Sequence, residues 1–128
     1  MKEQMIDLLL EAYPSYQHSW NEYIKDEDID EERLYYLDLS DFVRHLIRLY
    51  QSGKHDEFTA IFDVIERFHV EGEHYVREAA TIGILELLLP DKHLSGEEFI
   101  EYFGKSTLNS WELLCKFWRG EISWIPDS

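Results

Sequence analysis

The sequence predicts an all-α protein: a compact array of about six or seven helices in antiparallel hairpins, of which a HEAT- or armadillo-like solenoid would be one form. Three observations predict it. Apolar residues recur at three- and four-residue spacing along nearly the whole chain. No stretch alternates apolar and polar residues as a half-buried strand would. The periodic segments are separated by brief turn signals, among them Pro14, Gly53, Gly72, Pro90 and Gly120, which suits short connections between packed helices. At 128 residues, the chain is predicted to form one domain, residues 1–128.

Each element has its own warrant. Met5, Ile6, Leu8, Leu9 and Ala12 form one face of a helix from Lys2 to Tyr13, stopped by Pro14. Tyr16, Trp20, Tyr23 and Ile24 stand at helical spacing in the next segment. After an acidic run comes a short segment, ERLYYLD. The stretch LSDFVRHLIRLYQSG then reads as a helix capped by Ser40, with Phe42, Val43, Leu46, Ile47, Leu49 and Tyr50 inward and Gly53 just past its end. HDEFTAIFDVIERFHVEG repeats that design. Asp56 is its candidate cap, Phe58, Ile61, Phe62, Ile65 and Phe68 its stripe, and Gly72 its end. A helix over residues 73–89 follows and cannot pass Pro90. Phe99, Ile100 and Phe103 mark a short helix. Trp111, Leu114, Cys115 and Trp118 mark the face of a last one, ended by Gly120. The tail residues Ile122, Trp124 and Ile125 are predicted to dock on the body.

The chain carries a net charge of −15. That argues against nucleic acid or an anionic membrane as partner, because phosphate binding needs a basic surface. It is compatible with a basic protein partner, whose complementary field would speed encounter, and equally with a charge that serves solubility alone. The acids concentrate between Trp20 and Asp41, where nine of them face two bases. Asp26, Glu27, Asp28, Asp30, Glu31 and Glu32 are therefore the candidate docking surface, although such a run is commonly just a solvated loop. No stretch approaches the length of uncharged apolar sequence that spans a bilayer. A single thiol, Cys115, allows no internal disulfide and fits a reducing compartment, so the expected location is the cytoplasm.

Catalytic and cofactor patterns are not found. There is no phosphate-cradling glycine loop, nucleophile elbow or paired-cysteine metal spacing. Cys115 lies in an aromatic helix and reads as packing. His69, Glu73 and His74 are close in sequence, but Gly72 interrupts the helix between them, so no metal is expected, nor any cofactor. The expectation is a non-enzyme.

Within residues 73–90, a uniform 100° per residue puts Tyr75, Val76, Ala79, Ala80, Ile82, Gly83 and Leu87 on one apolar arc. Leu85 and Leu88 intrude on the other side. A mid-helix glycine costs about 1 kcal/mol against alanine, so Gly83 reads as a seat for a closely packed neighbour. Glu86 falls on the same arc, and a buried carboxylate needs a partner. Arg44, Arg48, Arg67 or a tyrosine hydroxyl are the candidates. The alternative is a site carboxylate with a raised pKa.

HVEGEHYVREAATIGILELL and SWELLCKFWRGEISWI resemble an uncharacterised family of small acidic bacterial helical proteins. Its marks are a YVRE-A-A-x-x-G-x-LE helix and a closing FW-x-GEI motif. The likeness covers roughly residues 35–125, and the chain departs from it after Leu87, where relatives carry a polar turn. The resemblance implies that Gly83, Glu86, Trp111, Phe117, Trp118, Gly120 and Glu121 are motif positions that determine the fold. Some relatives look like proteins encoded near polymorphic toxins, which implies an immunity protein that binds a basic toxin domain. Two other readings stand beside it: a small-ligand or peptide receptor with an aromatic groove of Trp111, Trp118 and Trp124, and an enzyme using Glu86 with His69 or His74.

Overall fold

A computed structural model describes residues 4–26, 35–88 and 97–124. The described residues form six α-helices and contain no strand. α1 (Met5–Ala12) buries Met5, Ile6 and Leu9 and turns Asp7 and Glu11 to solvent. Pro14 ends it and opens a 3₁₀ turn, Pro14–Tyr16, that leads into α2 (Gln17–Asp26). α3 spans Tyr35–Gln51. It begins five residues before the predicted cap at Ser40, which is interior. Leu39 explains this: it is buried with Phe42, Val43 and Leu46, so the helical stripe already runs through it. Gly53 takes a left-handed φ of 80° just past the end of α3, as the sequence predicts.

α4 (Phe58–Glu71) carries the centre of the core. Phe58, Ile61, Phe62, Ile65 and Phe68 are all fully buried. Asp56 does not cap it, because the helix starts two residues later. A 3₁₀ helix, Glu97–Tyr102, lays Phe99 and Tyr102 on this stripe, with Phe58 to Tyr102 ring centres 5.2 Å apart in edge-to-face contact. Such pairs add about 1 kcal/mol each beyond the area they bury. A second aromatic cluster joins the N-terminal helices to α3. Tyr13, Tyr16 and Phe42 meet there, with Tyr16 to Phe42 centres at 5.7 Å.

α6 (Lys105–Trp118) packs on α4 and on the segment that follows it. Thr107 meets Glu66 and Ser110 meets His69, an offset of 41 residues in both cases, so α4 and α6 run parallel. The intervening chain makes this possible by returning to the starting end of α4. At this offset the end of α4 stands level with Glu112, and the last turn of α6 overhangs it. Trp111 is accordingly buried, whereas Trp118, predicted inward from the same stripe, is 58% exposed. Trp124 is 66% exposed, so its predicted docking does not occur, and Ile122 is only half-buried.

The largest departure from the sequence reading is in residues 74–88. They are helical throughout but not uniform: α5 (His74–Glu78) passes into a π-helix, Ala79–Ile84, and then a 3₁₀ turn, Leu85–Leu88. A π segment accommodates one extra residue, which rotates everything downstream back by about 100°. The burial follows that rotation. Val76, Ala79, Ala80, Ile84, Leu85 and Leu88 are buried, while Leu87, placed on the apolar arc by a uniform helix, is 44% exposed. Gly83 is buried inside the π segment, which packs against α3, α4 and α6.

A polar groove along the third helix

The candidate site grows from a buried carboxylate on α3. Asp41 is only 5% exposed, a position the helical stripe forces on it beside Phe42. The Tyr16 hydroxyl donates to its Oδ2. Arg44 Nη2 donates to Oδ1 at 2.9 Å, and His45 Nε2 lies 3.7 Å from the same oxygen. Burial, reinforced by the hydrogen bond and charge of Asp41, pushes the Tyr16 phenol far above its ordinary pKa. His45 is held below the usual imidazole value. Its burial is the main cause, with Arg48 and Arg44 acting in the same direction against the pull of Asp41. Tyr13 donates to the His45 carbonyl at 3.3 Å, and burial followed by the charge of Glu57 raises its pKa to about 12.

His45 stands between two clefts along α3. One, about 370 Å³, lies against α2 and is lined by His18, Ser19, Glu22, Tyr23, Asp41, Arg44 and His45. The other, about 390 Å³, is lined by Tyr13 and Ser15, by His45, Arg48, Leu49 and Ser52 from α3, and by Lys54, Asp56 and Glu57 of the connection to α4. Residues 45, 48, 49 and 52 are one face of a helix, so the C-terminal half of α3 forms a wall of the second cleft. Both clefts are of the size small ligands occupy.

A second polar cluster lies between α4 and α6. Glu66 accepts from the amides of Ser106 at 3.0 Å and Thr107 at 2.8 Å, and from the Thr107 hydroxyl at 2.8 Å. It thus caps the N-terminus of α6 from another helix. Burial alone would raise its pKa, but these bonds outweigh it and hold the carboxyl below the ordinary range. Gly104 leaves the room: a Cβ there would stand 2.5 Å from the Glu66 carboxyl carbon. One turn on, His69 is 3% exposed, with Nδ1 3.4 Å from Ser110 Oγ and no hydrogen-bond partner at Nε2. Burial, only partly offset by Glu66, lowers its pKa to about 4.

The sequence-predicted positions are scattered. Asp26 is the last residue of α2, but its side chain, together with Glu27, Asp28, Asp30, Glu31 and Glu32, lies outside the described residues. Glu86 is half-buried, and no described residue donates to it. Its expected arginine partner is a correction: Arg44 bonds Asp41 and Arg67 bonds Glu71, and the π segment has turned Glu86 off the core face. His74 pairs at the surface with Glu78 at 3.1 Å, and twelve residues separate it from Glu86, about 18 Å at helical rise. Those groups are not one site. Trp111 packs edge-on against Phe103 in the core, Trp118 and Trp124 are exposed, and none of the three lines either of the two clefts along α3. Phe117 is half-buried and makes an edge contact with Trp118. Gly120 terminates α6 at a φ of 77°, and Glu121 pairs with Arg119. No three His, Cys, Asp or Glu among the described residues are grouped to hold a metal ion, and Cys115 is half-buried. No described helix is long and apolar enough to cross a membrane.

Sequence reasoning missed the clusters around Asp41 and Glu66, and weighed His69 only as a metal ligand or a catalytic partner of Glu86. Tyr16, Thr107 and Ser110, which meet Asp41, Glu66 and His69, lie 25 to 41 positions away in the chain, so no local pattern marks those contacts.

Fold and site together define an all-α protein with a groove along its third helix and a second polar cluster between α4 and α6. Residues 6–119 match the family described as "Domain of unknown function (DUF7674)", and the chain belongs to that family. No curated protein and no solved structure matches it.

Proposed function

We propose that this is a non-catalytic interaction protein whose partner is a basic protein, in the manner of an immunity protein that neutralises a basic toxin domain in the cytoplasm. The net charge of −15 carries the reading. A field of that sign steers a cationic partner toward the surface and speeds encounter. The exposed indoles of Trp118 and Trp124 add to it, because tryptophan is the residue type most enriched among binding hot spots. The acidic run from Asp26 to Glu32 supplies the charged contact surface.

The test is co-expression with the products of adjacent genes, followed by association kinetics on any basic protein that co-purifies. Reversing the charge of Asp26, Glu27, Asp28, Asp30, Glu31 and Glu32 should slow association about tenfold at low salt and flatten its salt dependence. Trp118→Ala should act on the dissociation rate instead. Binding that ignored both salt and the reversal would end the reading.

A further inference from the structure

Arg48 is the only arginine among the described residues with no hydrogen-bond or ion-pair partner there. Arg44 is held by Asp41, Arg67 by Glu71, Arg77 by the Gly72 carbonyl and Arg119 by Glu121. The chain carries 27 acids against 12 bases, yet no carboxylate among the described residues pairs with Arg48. Arg48 lines the 390 Å³ cleft together with Lys54, which is also unpaired among the described residues. The same cleft is lined by the carboxylates of Asp56 and Glu57, the latter fixed by the Ser15 hydroxyl at 3.2 Å.

This charge pattern restricts the ligand. A simple anion would gain from Arg48 and Lys54 but lose to Asp56 and Glu57, and a simple cation would meet the reverse. A molecule carrying both charges satisfies both pairs at once. The volume lies at the small end of the roughly 300–1,000 Å³ that ligand pockets span. We propose that this cleft binds a small zwitterion of the α-amino-acid type, its carboxylate on Arg48 and Lys54 and its ammonium on Asp56 and Glu57. The site is independent of the partner surface proposed above.

Glycine is the probe, because it has no side chain for the cleft to refuse. Amide chemical shifts of the full chain are followed at constant ionic strength in parallel titrations with glycine, N-acetylglycine and glycinamide. Glycine should give saturable shifts confined to residues around His45, Ser52, Lys54 and Glu57, and the two single-charge analogues should bind at least about tenfold more weakly. Arg48→Gln should weaken glycine and N-acetylglycine and leave glycinamide unchanged. Asp56→Asn should weaken glycine and glycinamide and leave N-acetylglycine unchanged. Both side chains are exposed, and the spectra themselves report whether each variant is folded. N-acetylglycine binding as tightly as glycine would make this a plain anion site. Glycinamide doing so would make it a plain cation site. The absence of saturable shifts with glycine up to roughly 100 mM, a Kd beyond which little binding energy remains, would remove the site. Each of these three outcomes overturns the proposal.

Discussion

Two carboxylates organise the two polar regions of this protein, and they do so differently. Glu66 accepts from two backbone amides and a hydroxyl of α6, so it fixes the position of a helix. Asp41 accepts from side chains only, the Tyr16 hydroxyl and Arg44, with His45 nearby, and one edge of its cluster opens into a cleft. Backbone amides are held in place by their helix, whereas side-chain partners can rotate away. The α4–α6 seam therefore belongs to the stability of the fold. The α3 groove can give up or exchange a contact at low cost, which is what a binding surface needs.

The sharpest way to break this contrast is Glu66→Ala. It orphans two helix N-terminal amides and the Thr107 hydroxyl, and bonds to a charged acceptor are worth about 1.5–3 kcal/mol each before compensation by water. A net loss of about 3 kcal/mol in urea unfolding is expected, and a loss within error of zero would show that the cap is ornamental. Acid should attack the same seam through His69. Its pKa of about 4 in the folded protein lies below the 6.5 of an unperturbed imidazole, so between those values the unfolded chain binds the extra proton. Stability is then complete above pH 6.5 and falls as pH drops toward 4, by up to about 3 kcal/mol. Glu66, also depressed, adds its own loss below its unfolded value near 4.5. Unfolding midpoints measured from pH 7 to pH 4 check this, and a His69→Phe variant should flatten the upper part of the decline.

Gly104→Ala is the next smaller effect. Its Cβ must displace the Glu66 carboxylate, an end that could move freely were it not tied by three bonds. A cost of about 1–2 kcal/mol is expected in the natural background and much less beside Glu66→Ala, since both changes remove one contact. Additive costs in that cycle would mean that Gly104 is needed for a reason other than the cap.

Most of the fold was legible and most of the site was not, for physical reasons. Helical periodicity is local, so the stripes of α1, α3 and α4 can be read directly, including Phe58, Ile61, Phe62, Ile65 and Phe68. A change of pitch is not visible in a scheme that assumes one pitch. Val76, Ala80, Ile84 and Leu88 recur every fourth residue and would drift 40° per step on an α-helix, yet all four are buried. That even spacing was the available signal of the π segment, and missing it put Glu86 in the core. Deleting Ile82, which is only half-buried, should convert the segment to a regular α-helix and keep Leu85 and Leu88 inward, at a cost of about 1 kcal/mol. Deleting Val64 from α4 has no such escape and should unfold the protein. If both deletions are equally damaging by circular dichroism and thermal melting, the π segment is not what sets the register.

The smallest effect belongs to the groove and completes the contrast. Arg44 lies 2.9 Å from Asp41, about as close as Ser106 and Thr107 lie to Glu66, so distance alone would rank the contacts alike. The Arg44 side chain is 61% exposed, however, and water competes for its guanidinium. Exposed pairs of this kind contribute about 0–1 kcal/mol. Asp41 also keeps its bond from the Tyr16 hydroxyl when Arg44 is removed. Arg44→Gln should therefore cost about 0.5 kcal/mol or less in urea unfolding, and less still in high salt, where the pair is screened. A loss comparable to that of Glu66→Ala would mean that Asp41 depends on Arg44 as α6 depends on Glu66, and the groove would then be a structural seam rather than an adaptable surface.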